Sequence, residues 1–365
     1  MRLRADRFVT GLARVTAAAA GYQAVTDLAF TSEEASNIVA VETEHAHIYV
    51  HASGMRETST IVFEARDRNG IPVDETHAVT MSFTQDSSGA VDATIHPATA
   101  TTNQMGRAAT TISAGDSSGV VEVSAEALGI LSRPVRVAVH GGLPDREHFS
   151  IAFSTLNIAG LVYADQETRV VAHVGDLHGN PVSEHTAVFF SSEYGIVEGS
   201  ARTDSLGRGS VVHYSAAPYP AIPGGDGLVL ITARTVGWDP ALARLDSLTT
   251  HGHVMWSGET ILRVDSPANG FTAVGSIPFR FYVGDANGNP LTAGTTITVS
   301  TTRGDLSGDI AVELPDTQRS GLGYTEFTAV LSVGDDGPGP VTVTITVDSL
   351  NGDQTATRSG TLTLP

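Results

Sequence analysis

The chain has neither cysteine nor lysine among its 365 residues. Without thiols no disulfide can staple a small core, and thiolate zinc sites, iron–sulfur clusters and cysteine nucleophiles are excluded. All 21 basic side chains are arginine, set against 40 acids, for a formal charge of −19. Nucleic-acid binding draws most of its affinity from clustered positive charge and is not expected here. The acid excess favours solubility and mutual repulsion between parts of the chain. A salty habitat accounts for acid enrichment with lysine loss, and a GC-rich genome for lysine loss alone; composition does not separate the two. Aromatics are scarce, at 6%, so the cores must be built on Val, Ile, Leu and Ala. There is no uninterrupted apolar window of about 18 residues, so no membrane span is expected. Capped helical periodicity is missing as well. The one local helix candidate is 239–244, and elsewhere the alternation is that of strands.

What the sequence does contain is a repeat. Asp67-Arg-Asn-Gly70-Ile-Pro72-Val73, Asp176-Leu-His-Gly179-Asn-Pro181-Val182 and Asp285-Ala-Asn-Gly288-Asn-Pro290-Leu291 recur at a step of 109 residues. A period of that length is a whole domain. The signature is turn chemistry: Asp caps the backbone, Gly accepts positive φ, and Pro ends pairing. Alternating strands precede it at 60–65, 168–174 and 278–283, and follow it at 78–83, 187–190 and 296–300. A Thr-to-Gly turn comes next, at Thr102–Gly106, Thr203–Gly207 and, more loosely, Thr317–Gly323. A strong closing strand follows at 119–125, 227–233 and 340–347. Gly11–Ala17 is a further copy of that strand, 108 residues before Gly119. Gly21, Gly129 and Gly237 keep the same step near the strand ends. Residues 1–33 therefore read as the last two strands of an incomplete module. A secretion signal is the rival reading, with Arg2, Arg4 and Arg7 ahead of a run ending at Ala20, but Asp6 and Arg14 would place charge in its apolar core. The expected organisation is 1–33, 34–142, 143–253 and 254–365, with linkers at Gly141–Asp145 and Thr250–His253.

In order, a strand, an Asp-x-x-Gly-Asn-Pro-Val turn, a Val-x-Phe strand, a Thr-Asp-x-x-Gly turn and a closing Val-x-Val-x-Ala strand resemble the bacterial immunoglobulin-like domains of invasin- and intimin-type surface proteins. Residues 164–216 carry the best match. The first module departs with Ile71 in place of Asn, and the third with its irregular Thr-to-Gly turn. The resemblance implies an all-β chain of tandem immunoglobulin-like antiparallel β-sandwiches with Greek-key connections, in an elongated array. It implies a non-enzymatic structural or adhesive segment of a secreted or cell-surface bacterial protein, forming a semi-rigid stalk, filament or coat. A binding module for a host protein, glycan or neighbouring subunit is the alternative, and accessory modules of a larger extracellular enzyme a third. Protein–protein contact is the expected partnership, including self-association through the N-terminal strand pair.

Few residues suggest chemistry, and each has a plain structural reading. His45, His47 and His51 share a strand face and would offer imidazoles to a transition metal; an exposed polar face explains them equally, with Ile48 and Val50 pointing to the core. Asp285, Asp305 and Asp309 would supply oxygens to calcium, but turn capping explains them and an Asp-x-Asp-x-Asp run is absent. Tyr219, Trp238 and Trp256 would stack on a sugar or pack near module junctions, and the insert Ser215–Gly227 is the best loop candidate. Arg303-Gly304-Asp305 spells an integrin-reading tripeptide, yet Gly304 sits 19 residues past its signature Asp, as Gly195 does, and reads as a repeat position. Gly115-Asp-Ser117-Ser-Gly119 matches a nucleophile elbow but leads into a strand rather than a helix. Enzymatic activity is not expected, and no cofactor other than calcium is indicated.

Overall fold

The computed structural model describes residues 10–220, 226–239 and 244–364. Those residues contain no α-helix; one 3-10 turn, Glu75–His77, is capped by Asp74. The chain divides into two compact units. The first comprises residues 1–148 with the loops 175–184 and 205–207; the second comprises 149–174, 185–204 and 208–365.

The first unit opens with a two-stranded antiparallel hairpin, Gly11–Ala19 with Tyr22–Phe30. Ala20 and Gly21, both at positive φ, make its turn. A sandwich follows. One sheet orders Asn37–Thr43, Thr58–Arg66, Arg107–Ser113 and Thr94–His96. The facing sheet orders His47–Tyr49, Val135–His140, Gly119–Ala127, Thr80–Ser88 and Thr99–Thr101. Burial alternates along these strands because successive side chains point to opposite faces. Val121, Val123 and Ala125 turn inward, as do Ile61, Phe63 and Ala65, and they meet around Met81, Ile48 and Ile112. Phe63 and Phe83 stack obliquely, with centroids 5.7 Å apart.

The second unit repeats this order twice. In its first sandwich, Phe149–Phe153, Glu167–Val174, Arg208–Tyr214 and Ile196–Val197 face a sheet of Asn157–Ile158, Arg244–Trp256, Leu228–Asp239, Ala187–Ser192 and Ser200–Arg202. In its second, Ile261–Ser266, Ser276–Gly284, Glu326–Ser332 and Asp305–Gly308 face Phe271–Val274, Gln354–Thr363, Gly339–Asp348, Thr296–Thr301 and Ala311–Glu313. In all three sandwiches a short early strand crosses over and pairs parallel with the last one, while every other neighbour is antiparallel. The fold is thus all-β, in tandem immunoglobulin-like sandwiches.

Two expectations need correction. Thr250–His253 is not a linker: it lies inside the strand Arg244–Trp256. Of these four residues His251 and His253 are on the strand's outer face, while Thr250 and Gly252 share the side of buried Leu248 and Val254; a Cβ on Gly252 would meet the Phe153 ring at 2.7 Å. The chain leaves that sandwich only after the buried Trp256, at Ser257 and Gly258, so 254–256 belong with the sandwich of Phe149–Phe153 and Leu228–Asp239. Gly237 does lie near the end of its strand, Leu228–Asp239, but the helix candidate beyond it is not borne out at its two described residues. Gly21 and Gly129 adopt positive φ, but Gly237 pairs with Asp246 within a hairpin that continues to Asp239 and Arg244. Those two residues of the helix candidate are strand ends; residues 240–243 lie outside the described residues.

Candidate functional site

The signature aspartates hold a loop within each sandwich, after Thr58–Arg66, Glu167–Val174 and Ser276–Gly284. Asp67, Asp176 and Asp285 are 3%, 1% and 2% exposed. In each, Oδ1 accepts the backbone N–H groups two and four residues on. These come from Asn69 and Ile71 at 2.8 and 2.9 Å, from His178 and Asn180 at 2.9 Å each, and from Asn287 and Asn289 at 2.9 Å each. The other oxygen accepts an N–H from the segment entering the sandwich: Glu33 at 3.2 Å, Gly142 at 2.7 Å and Gly258 at 2.9 Å. A short carboxylate thus closes its own turn and clamps the linker at the same time. Gly70, Gly179 and Gly288 take positive φ within the turn. Pro72 and Pro181 end it, bridging antiparallel to Arg66 and Gly175; the Pro290 carbonyl accepts from Asn157 Nδ2 at 2.8 Å. Burial raises the Asp67 pKa, but the amides of Ile71, Glu33 and Asn69 outweigh it and leave the carboxyl below its usual range.

Asn at the fifth signature position extends the clamp. In the first unit Asn180 Nδ2 donates to the Asp116 carbonyl at 2.7 Å, and its Oδ1 accepts from Ser118 N–H at 3.0 Å. His178 Nε2 lies 3.0 Å from the His51 carbonyl. The Gly115–Gly119 segment is therefore a strand-entry turn, its Asp116 and Ser117 amides held by Asp92 at 2.6 and 3.2 Å. Ile71, in the equivalent place, has no side-chain amide to reach back with. In the second unit Asn157 Nδ2 donates to the carbonyls of Pro290 and Leu291 at 2.8 and 3.1 Å. Asp316 receives the amides of Leu156 and Asn157, at 2.8 and 3.0 Å. Gln318 Nε2 donates to the carbonyls of Leu156 and His253 at 3.0 and 2.9 Å. Asp316 is exposed, so Asp316→Ala is expected to cost only about 1 kcal/mol, yet amide exchange at Leu156 and Asn157 should accelerate while that of Val170 and Ile231 stays slow.

The other candidate residues do not assemble into sites. His45 lies 3.3 Å from Glu44, His51 lies 3.5 Å from Asp116, and His47 lies 2.9 Å from His140; the three imidazoles go to three different partners. Ile48 and Val50 are buried, at 0% and 1% exposure. Asp285 is committed to the clamp, Asp309 accepts Thr328 N–H at 2.8 Å, and Asp305 packs against Gly334. Among the described residues no group of three His, Asp or Glu side chains is placed to hold a metal. Gly304 has φ +80, and a Cβ there would lie 2.4 Å from the Ser332 carbonyl; Arg303 donates to the Asp336 carbonyl. That tripeptide is part of a tight turn.

The aromatic platform is not formed. Trp256 is 0% exposed, set between His213, with centroids 5.7 Å apart, and the edge-on ring of Tyr219 at 6.0 Å. A Cβ on Gly160 or Gly195 would run into its indole, so these glycines make the space it fills. Trp238 pairs with Leu245, whereas Leu228 pairs with Met255. Ten ladder steps, about 33 Å, therefore separate Trp238 from the Trp256 end. The Ser215–Gly227 insert falls partly outside the described residues, at 221–225.

An apolar stripe not evident in the sequence takes the platform's place. Phe189 pairs with Arg234, Val236 with Ser247 and Trp238 with Leu245 on the outer face of one sheet. Phe189, Val236, Trp238 and Leu245 are 55%, 57%, 45% and 55% exposed. The signal in the sequence was the alternation Arg234, Val236, Trp238, but its outward direction is fixed only once Ala233 and Thr235 are seen to be buried.

No protein-family model matches this chain, and no curated protein matches it. Solved structures do. FdeC, an Escherichia coli adhesin, is 17% identical over 92% of this chain and 100% of that one, with a TM-score of 0.45. Invasin, a bacterial integrin-binding protein, is 15% identical over 90% of this chain and 60% of its own, with a TM-score of 0.29. A 282-residue C-terminal fragment of intimin, solved with the intimin-binding domain of its translocated receptor, is 14% identical over 60% and 63%, with a TM-score of 0.27. The sandwich architecture stands on the sheets themselves. No described helix is long and apolar enough to cross a membrane. The chain is similar to bacterial immunoglobulin-like surface adhesins.

Proposed function

We propose that this chain is a non-enzymatic scaffold and contact segment of a secreted or surface-exposed bacterial protein. In this reading its sandwiches are modules of a semi-rigid stalk, with boundaries near the linker residues Glu33, Gly142 and Gly258. The observation that carries it is the buried aspartate clamp, made three times with the same atoms. A carboxylate that binds both the loop of one sandwich and the linker leading into it restrains the joint, which flexible Gly/Ser tethers do not. Images of the purified chain test the proposal. Sandwich-sized densities in a row, each roughly 30–40 Å long by strand length, are expected; one rounded mass would contradict it.

Within this reading the contact face is the stripe of Phe189, Val236, Trp238 and Leu245 beside Arg234. Exposed aromatic and Arg side chains on a rigid sheet are the usual anchors of protein interfaces. Trp238→Ala is expected to weaken binding to a protein partner on cells at least tenfold without changing the melting temperature. Unchanged binding removes the stripe from the function.

The N-terminal hairpin supports self-association as a second reading. Ala13, Val15 and Ala17, with Leu28 and Phe30 across the ladder, occupy the positions that Val121, Val123 and Ala125, with Val137 and Val139, fill in the first sandwich core. On that face Leu28 and Tyr22 are exposed. Such a face and edge accept added strands. Deleting residues 1–33 should abolish assembly while the three sandwiches stay folded, and assembly that persists rules this route out.

A further inference from the structure

The sandwich of Phe149–Phe153 ends in a long hairpin, Leu228–Asp239 with Arg244–Trp256, whose outer strand is covered at one end only. Asn157–Ile158 pairs parallel with Met255–Trp256, and the Met255 and Ser257 amides donate across that edge to the Leu156 and Ile158 carbonyls at 2.8 and 2.9 Å. Backbone groups alternate in direction along a strand, so the amides and carbonyls of His253, His251, Thr249, Ser247 and Leu245 point the same way. Gln318 covers the first of these, donating to the His253 carbonyl at 2.9 Å. Beyond it, among the described residues, no strand pairs with this edge, and the Ser247 amide reaches only its neighbour Asp246, at 2.8 Å. Leu245 to His251 therefore present about 20 Å of bare ladder, at roughly 3.3 Å per residue.

The other two sandwiches close the same edge. In the first, the Ala138 amide and the His140 carbonyl meet Ala46 and Val50 at 2.9 and 3.0 Å, so only Arg136 is left outward in Val135–His140, behind Arg133 and Pro134. In the last, Asn269 Oδ1 accepts the Ser359 amide at 2.8 Å, Gly270 donates to the Ser359 carbonyl at 2.7 Å, and Arg358 donates to the Thr357 carbonyl at 3.0 Å. Native sheets blunt a free edge with charge, proline or a bulge. Ser247–His251 carries no Asp, Glu, Arg or Pro, and its ladder with Leu228–Asp239 runs without a register shift.

An unprotected edge takes up another strand. A second copy of the same strand fits it, running antiparallel about Leu248: Leu245 of one copy lies opposite His251 of the other, and Ser247 opposite Thr249. All four outward residues are then matched, and each such pair exchanges two hydrogen bonds. Asp246 falls opposite Thr250 and Arg244 opposite Gly252, so no like charges meet. The contact is self-complementary, as a two-fold dimer requires, and it carries the exposed Trp238–Leu245 row across the junction. We propose that two copies of this chain associate by antiparallel pairing of Leu245–His251, joining their five-stranded sheets into one. The formal charge of −19 on each chain opposes their approach, so salt strengthens the dimer by screening.

Sedimentation of the full chain over a range of concentrations, at low and high sodium chloride, tests this. A monomer–dimer equilibrium with a dissociation constant on the order of 10 µM is expected, tighter at high salt. Thr249→Pro removes an amide without a partner inside the chain, at an edge position where proline is tolerated; it should weaken the dimer at least about tenfold, with circular dichroism confirming the fold. Two double variants read the register. Ser247→Asp with Thr249→Asp, and Ser247→Arg with Thr249→Arg, each set like charges opposite one another and should stay monomeric alone, whereas an equimolar mixture of the two should dimerise. Deleting residues 1–33 removes any larger assembly through the hairpin and leaves this dimer in place. A chain that stays monomeric at about 500 µM, a dimer indifferent to Thr249→Pro, a mixture that does not pair, or a dimer lost with residues 1–33 overturns the proposal.

Discussion

Replacing Asp285 with Ala is expected to destabilise the second unit by about 3–5 kcal/mol, read as a fall in denaturant midpoint. The side chain is 2% exposed and accepts three backbone amides, from Asn287, Asn289 and Gly258. Alanine leaves these donors without a partner. A hydrogen bond to a charged acceptor contributes about 1.5–3 kcal/mol, and an orphaned buried donor costs about 1–3 kcal/mol; the terms overlap, and the loop relaxes enough for water to reach part of it. Asp285→Asn should fall between, because its single carbonyl oxygen can serve either the turn or the linker. Asp176→Ala should act on the first unit in the same way, since its carboxylate binds His178, Asn180 and Gly142. A loss below about 1 kcal/mol would mean that the turn closes without its carboxylate.

The second large effect is a response to acid. His213 is 0% exposed, and neither ring nitrogen has a hydrogen-bond partner. Burial against Trp256 brings its pKa down to about 4 from the ordinary imidazole value. The unfolded chain therefore takes up this proton before the folded one does. The contribution of His213 is complete above about pH 6.5, declines as pH falls from there to about 4, and is constant below that. The total loss is about 3 kcal/mol. Urea midpoints for the second unit should fall across this window, and His213→Leu should flatten the curve. In the first unit Asp74 has the opposite origin and a lower window. Burial raises its pKa, but the Thr76 hydroxyl, the amides of Ser32 and Thr76, and His77 outweigh it and set the value at about 2. Its contribution is present above about pH 4 and is lost only as pH falls through 2. The Asp74 contribution to the first unit is therefore intact across the window in which His213 titrates. Identical pH profiles for His213→Leu and wild type would show that water reaches the imidazole.

The parts of this architecture that were readable from sequence are those set by local chemistry. Asp, Gly and Pro at fixed spacing dictate a turn wherever they occur, so Asp67, Asp176 and Asp285 marked the domain period. Alternating Val and Thr marked the closing strands. What was not readable depends on partners far along the chain. His47 meets His140 across 93 residues through a parallel pairing that no local pattern specifies; the same-face rule grouped His47 with His45 and His51 instead. Thr250–His253 resembled a linker because the exposed face of a strand and a loop share a composition. For Trp256 the sequence allows both sugar stacking and packing; only Gly160 and Gly195, distant in sequence, show that space is made for it inside. Asn180 was seen as turn chemistry, while its side chain serves the neighbouring sandwich. Its replacement by Ile71 in the first module then acquires a reason.

The linker amides of Gly142 and Gly258 are held by the signature carboxylates. Hydrogen exchange of the Gly142 and Gly258 amides, in the full chain and in Asp176→Ala and Asp285→Ala, measures this directly. Slow exchange at both glycines in the wild type is expected, with protection lost at Gly142 only in Asp176→Ala and at Gly258 only in Asp285→Ala, while the Val121 and Ile345 amides stay protected. Fast exchange at either glycine in the wild type, or protection that survives removal of its carboxylate, would contradict it.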